Sequence, residues 1–221
     1  MDVRKEKDSL NSGVKAGEGK EPSVFKKLAQ NKTWTAFWSN LLFIAVWFVI
    51  FYVLFYVFPP YIVSGESMNE TLSDKAFGFG FRYGELERGD IVVFSNEETK
   101  GEAYIKRVIA VPGDTIRLEG YSIYLNGELL TEDYAYIDPA FTGTRGSYVN
   151  TEKLPWLSLA ACQNADGDTE FAYCGEYTLG EDEYFVMGDN RCHSNDSRSI
   201  GTISRKDVKC KMLFFLWGKK R

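Results

Sequence analysis

From Leu41 to Phe58 the chain runs through 18 consecutive apolar or aromatic residues, and no charged side chain appears between Lys32 and Glu66. A helix of that length rises about 27 Å, close to the roughly 30 Å of a hydrocarbon core. Ala36, Phe37 and Trp38 extend it backwards, and Trp34, Trp38 and Tyr61 suit the two interfaces of a bilayer. All faces of the stretch are apolar, unlike the one-sided pattern of a core helix. It is also longer and further from the start than the apolar region of a cleaved leader. Pro59-Pro60 ends it, because proline cannot donate the next backbone bond and restricts its predecessor. The pattern therefore predicts a polar, mostly disordered cytoplasmic tail over 1–33 and a single transmembrane anchor over 34–60.

Beyond Tyr61 the period changes from helical to extended. Short apolar runs at Phe77–Phe81, Ile91–Phe94, Tyr104–Val111 and Ile116–Leu118 are separated by Gly, Asp and Pro. Asn126-Gly127, set between alternating apolar positions in Ser122–Leu130, predicts a tight hairpin. Residues 131–180 are less patterned, and regularity returns at Tyr184–Met187. The run Met212–Trp217 is too short to span a bilayer and is expected to be a final core strand, with contact to a membrane surface as the lesser alternative. The expected fold is mainly β: the transmembrane helix, a β-rich core domain from 61–130 and 181–217, an inserted second subdomain over 131–180, and a basic tail at 218–221.

Charge sharpens this picture. The net charge is −5, yet residues 1–33 carry eight Lys/Arg against five Asp/Glu. Lys26, Lys27 and Lys32 before the anchor place the N-terminus in the cytoplasm by the positive-inside bias, and the rest on the outer face of the cell membrane. An acidic body speaks against nucleic acid as a partner. The four cysteines, Cys162, Cys174, Cys192 and Cys210, all fall late in the chain, where an extracytoplasmic setting permits disulfides. Their spacing fits no zinc pattern, and with His193 the sole histidine neither a metal nor another cofactor is expected.

Ser67, in Ser64-Gly65-Glu66-Ser67-Met68, follows the anchor by a few residues. A serine hydroxyl needs a base beside it to act as a nucleophile. Either His193 or a desolvated, neutral lysine could serve, and Lys106 in the apolar Tyr104–Val111 strand is the candidate lysine. Read alone, each segment is an ordinary turn or a solvated strand charge.

Four stretches together resemble the bacterial type I signal peptidases, membrane-anchored Ser-Lys proteases that remove signal peptides from exported proteins. They are Gly65-Glu66-Ser67-Met68 with Thr71-Leu72, Arg88 to Phe94, Lys106 to Asp114, and Gly188-Asp189-Asn190-Arg191 continuing through Ser194, Asp196-Ser197-Arg198 and Gly201. The resemblance implies Ser67 as nucleophile and Lys106 as general base. It implies a supporting set in which Ser194 hydrogen-bonds the lysine, Asp196 pairs with Arg198, and Asp189 and Asn190 form the turn before them. It places the oxyanion hole at the Ser67 N–H, with Gly65 where some relatives carry a second, serine donor and Ser64 as a substitute. Val63, Met68, Tyr104 and Ile105 are implied to line shallow substrate pockets. Preproteins with small residues, typically Ala-x-Ala, before the cut are the implied substrates, and the lipid bilayer the second partner. Glu70 stands where the family has proline, which is expected to loosen the turn. His193 is expected to be a bystander, since Lys106 occupies the base position. The alternatives are a dedicated processing peptidase for pilus or conjugation proteins and an inactive, membrane-tethered binding module.

Overall fold

The structure, a computed structural model, describes residues 24, 32–120, 122–138, 149–163 and 169–220. Helix α1 spans Lys32–Val57, and its side chains are exposed from Thr33 to Tyr56. It carries no acidic residue in its first turn and no basic residue in its last. By length and composition it can cross a membrane.

The body beginning at Tyr52 is a separate compact unit built from two antiparallel sheets. The first contains β1 (Pro60–Ile62), β2 (Leu72–Phe81), β3 (Ile91–Phe94), β4 (Tyr104–Ala110), β10 (Phe185–Met187) and β11 (Val208–Lys219), in the order β1-β2-β11-β3-β4-β10. The second contains β5 (Thr115–Glu119), β6 (Ser122–Leu125), β7 (Glu128–Leu129), β8 (Ser158–Gln163) and β9 (Thr169–Thr178), in the order β7-β6-β5-β9-β8. Strand β5 pairs with β9, so the second sheet draws on residues well before 131, where the sequence pattern led us to expect the inserted subdomain to begin. The polarity switch that separates β4 from β5, Val111-Pro112-Gly113-Asp114, is the corner between the sheets. There Asp114 accepts the Val111 N–H and pairs with Arg88.

The Asn126-Gly127 turn closes the β6–β7 hairpin with φ of 53° and 88°, the doubly left-handed geometry such a two-residue turn requires. Strand β4 is buried on both faces, which is why its alternation was ambiguous. Ile105 enters a cluster with Val63, Met68, Leu72 and Met212, whereas Val108 joins Val92, Phe94 and Val186. The run Met212–Trp217 is a strand as expected, but only Met212 is buried and Phe215 partly so. Leu213, Phe214, Leu216 and Trp217 are exposed. Cys174 is disulfide-bonded, while Cys192 and Cys210 are buried thiols.

Candidate active site

Ser67 lies in a turn between β1 and β2. Within that turn Asn69 donates its N–H to Glu66 O (2.9 Å), and the Thr71 and Leu72 N–H groups both reach Met68 O (3.1 and 2.8 Å). Glu70 occupies the left-handed region at φ 83°. The turn is therefore closed rather than loosened by the missing proline, and a proline, fixed near φ −65°, could not adopt this conformation. Met68 is driven into the core below and anchors the turn.

Lys106 approaches from β4. Its Nζ donates to Ser67 Oγ at 2.7 Å and to Ile105 O at 2.9 Å, and sits 5.3 Å from the centre of the Tyr104 ring. The residue is 4% exposed. Burial lowers its pKa to about 8, although Asp196 and Asp189 pull it the other way. A neutral amine bonded to a hydroxyl can take that hydroxyl's proton, so the pair can generate a nucleophile near neutral pH.

Both groups open onto a cleft of about 400 Å³, lined on one side by Tyr61, Ile62 and Val63 and on the other by Ala103, Tyr104 and Ile105. Val63, Tyr104 and Ile105 thus stand where substrate-lining residues were expected. Met68 does not line the cleft, because the short turn directs its side chain into the hydrophobic cluster beneath. His193 and Asn195 lie at the rim, and the Asn195 amide reaches Tyr104 Oη at 3.3 Å.

Residues 35–217 match the family described as signal peptidase, peptidase S26. The chain belongs to that family. Signal peptidase I P of Bacillus subtilis subsp. natto is 34% identical over 193 residues, which cover 84% of this chain and 90% of the relative. Signal peptidase I of Bacillus amyloliquefaciens is 32% identical, with 89% of this chain and 96% of the relative covered. A crystal structure of a signal peptidase I from Enterococcus faecalis V583 is 28% identical, covers 59% of this chain and 98% of its own, and superposes with a TM-score of 0.40.

The segment 188–198 contacts the turn that carries Ser67. Asn190 donates its N–H to Ser67 O (3.0 Å) and its side-chain amide to Glu66 O (3.3 Å). Asp196 caps the short helix α2 (Ser197–Ile200), accepts the Gly188 N–H at 3.0 Å, and holds Arg198 through two bonds of 2.9 and 2.8 Å. Burial opposes the charge on Asp196, but Arg198 and these donors keep its pKa below the usual carboxylate value. Ser194 Oγ is buried beside that carboxylate, close enough to favour its charged form without hydrogen-bonding geometry, and it makes no hydrogen bond to Lys106. Lys106 Nζ is instead engaged by Ser67 Oγ and Ile105 O. The Gly65 N–H donates to Asp74 Oδ1 at 3.0 Å, so in this geometry it is engaged rather than pointing free into the cleft.

Several functional neighbours were missed by the sequence reading. Arg107 holds Asp189 through bonds of 2.9 and 2.7 Å, with the Asp189 side chain fully buried. Arg191 binds Glu132 at 2.5 Å and the Gly188 carbonyl at 3.1 Å. Arg107 had a readable signal, since it neighbours Lys106 and must face the opposite side of the strand. Glu132 had none, because it lies in the unpatterned stretch. Gly188 is also required: a Cβ there would sit 2.2 Å from Ser194 Oγ and 2.5 Å from Ser67 O.

Proposed function

We propose that this protein is a membrane-bound serine endopeptidase that removes signal peptides from exported preproteins, with Ser67 as nucleophile and Lys106 as general base. The observation that carries this reading is the 2.7 Å contact between Ser67 Oγ and a buried Lys106 whose pKa is lowered to about 8. Neutral Lys106 accepts the Ser67 Oγ proton as Oγ attacks the scissile carbonyl. The developing oxyanion is met by the Ser67 N–H. Lys106 returns the proton to the leaving amine, which departs as the new N-terminus and leaves an ester on Ser67. Lys106 then takes a proton from water as its oxygen attacks the ester, and passes that proton to Ser67 Oγ as the ester C–O bond breaks, which releases the signal peptide with a carboxylate end and restores the free serine and the neutral lysine.

An extended substrate would lie as a strand between the Tyr61–Val63 and Tyr104–Ile105 walls, with its backbone paired and alternate side chains directed into the walls. The narrow cleft favours small side chains such as those of Ala-x-Ala. The basic residues before α1 argue for a cytoplasmic N-terminus and a catalytic body on the outer face of the membrane. Asp189, Asn190, Asp196 and Arg198 hold the reacting pair in register.

The test is cleavage of a preprotein by the purified full-length protein in lipid-supplemented detergent. Ser67→Ala and Lys106→Ala are each expected to lower kcat by roughly three or more orders of magnitude, and the double variant by little more, because paired groups act as one unit. Undiminished cleavage by either single variant overturns the assignment.

A further inference from the structure

We propose that the end of β11 and the residue that follows it, residues 218–220, form a strap that positions the turn carrying Ser67; this rests on the reading of Ser67 as nucleophile. One side of that turn is held by Asn190 and by the Asp74–Gly65 bond. Past the buried Met68, the other side meets the end of β11 and Lys220. The Lys220 N–H donates to Thr71 O at 2.8 Å, Lys220 Nζ donates to Asn69 Oδ1 at 2.6 Å, and Lys219 stands opposite Leu72 in the sheet. Asn69 and Thr71 lie two and four residues beyond the nucleophile.

Reaching this position takes specific local chemistry. The register of β11 against β2 shifts between Phe215 and Trp217 and again between Trp217 and Lys219. Each shift bends and twists the strand. Gly218 then takes φ 82°, and a Cβ there would lie 2.5 Å from Ala76 Cα. Trp217, just before the kink, stacks on Phe77 at 4.6 Å and donates its indole N–H to Lys75 O at 3.2 Å. An indole, a close-packed glycine and a lysine bonded through both backbone and side chain therefore fix the end of β11 at the nucleophile turn.

The turn needs such a hold. Glu70 occupies a left-handed conformation that costs a non-glycine residue about 1 kcal/mol, and strained residues persist only where their surroundings over-determine them. Displacing a reacting group by about 1 Å can cost about a hundredfold in rate. Lys220 touches no reacting atom, so its role is positional.

The experiment measures kcat and KM for a preprotein, well below the thermal transition, on full-length protein. Lys220→Pro removes the N–H donor, Lys220→Met removes only Nζ, Lys220→Arg keeps a cationic donor, and Gly218→Val blocks the kink. Lys220→Pro and Gly218→Val are expected to lower kcat about tenfold or more, with KM within about threefold of wild type. Lys220→Met should give a smaller fall in kcat that Lys220→Arg reverses. The rate at which a serine-directed electrophile labels Ser67 should fall in parallel with kcat. The strap is overturned if Lys220→Pro and Lys220→Met keep wild-type kcat, or if activity falls only in proportion to the folded fraction. Ser67→Ala, assayed alongside, separates the two claims. If it is inactive while the strap variants are unaffected, the strap alone fails; if it cleaves normally, the nucleophile assignment fails first.

Discussion

Glu70 shows how single backbone angles shape this site. Its φ of 83° explains why the turn does without the proline that the family pattern placed there. Glu70→Gly should stabilise the protein by up to about 1 kcal/mol by removing the Cβ penalty, offset in part by the greater freedom of glycine in the unfolded chain. Denaturant melts check this, and a loss of stability would show that the Glu70 side chain has a compensating partner. Gly188→Ala should act in the opposite sense, because its Cβ would meet Ser194 Oγ and the Ser67 carbonyl. Activity should fall about a hundredfold, as expected for a displacement near 1 Å of a reacting group, and further than the loss in melting temperature explains. An active, equally stable Gly188→Ala protein would show that the Ser67 backbone can shift without consequence. The Ser67–Lys106 contact was only half legible. Ser67 and Lys106 could be named from their motifs, but whether the lysine was desolvated depended on two buried faces of β4 that period-two alternation cannot distinguish.

At the scale of elements, the segment from β10 through α2 is held by buried ion pairs: Arg107–Asp189, Arg191–Glu132 and Arg198–Asp196. Removing one partner leaves an uncompensated buried charge, so Arg107→Ala or Asp196→Asn should cost about 3–5 kcal/mol in denaturant melts. A loss below about 1 kcal/mol, typical of exposed pairs, would contradict their burial. Asp196→Asn has a second signature. The carboxylate raises the Lys106 pKa and the Arg198 charge lowers it, so neutralising Asp196 moves the Lys106 ionisation to lower pH. The pKa of Asp196 is itself lowered on folding. Its stabilising contribution is therefore full above the unfolded carboxylate value and is lost as pH falls through the folded one, which places that loss in strongly acid solution. The hairpin at Asn126-Gly127 and the strands β3 and β4 were legible, because local turn chemistry and short apolar runs specify them. The second sheet was not. Strands β5 and β9 are separated by a long stretch of chain, and no local pattern records that pairing. Nor could the sequence show that β11 turns four of its large apolar side chains outward.

Across the whole molecule, an apolar helix able to span a membrane precedes a two-sheet body in which a half-buried Ser67 and a buried Lys106 meet in an open cleft. The second sheet carries the Cys174 disulfide, whereas Lys106 lies on a strand of the first sheet and Ser67 in a turn between two of its strands. Reduction should therefore lower the thermal midpoint, by an amount equivalent to about 2–4 kcal/mol, while cleavage at moderate temperature continues. Abolished cleavage in reduced but still folded protein would contradict that separation. Cys210 stays a thiol throughout the working range, because burial pushes it up to about 11. The catalytic assignment is tested most directly by the pH dependence of kcat/KM for preprotein cleavage by the full-length protein, which reports ionisations of the free enzyme. The base must be neutral, so activity should be low while Lys106 is protonated and should rise with pH through about 8. It should do so equally in the His193→Ala variant. A profile that is flat across that range, or one whose rise disappears with His193→Ala, would contradict Lys106 as the base.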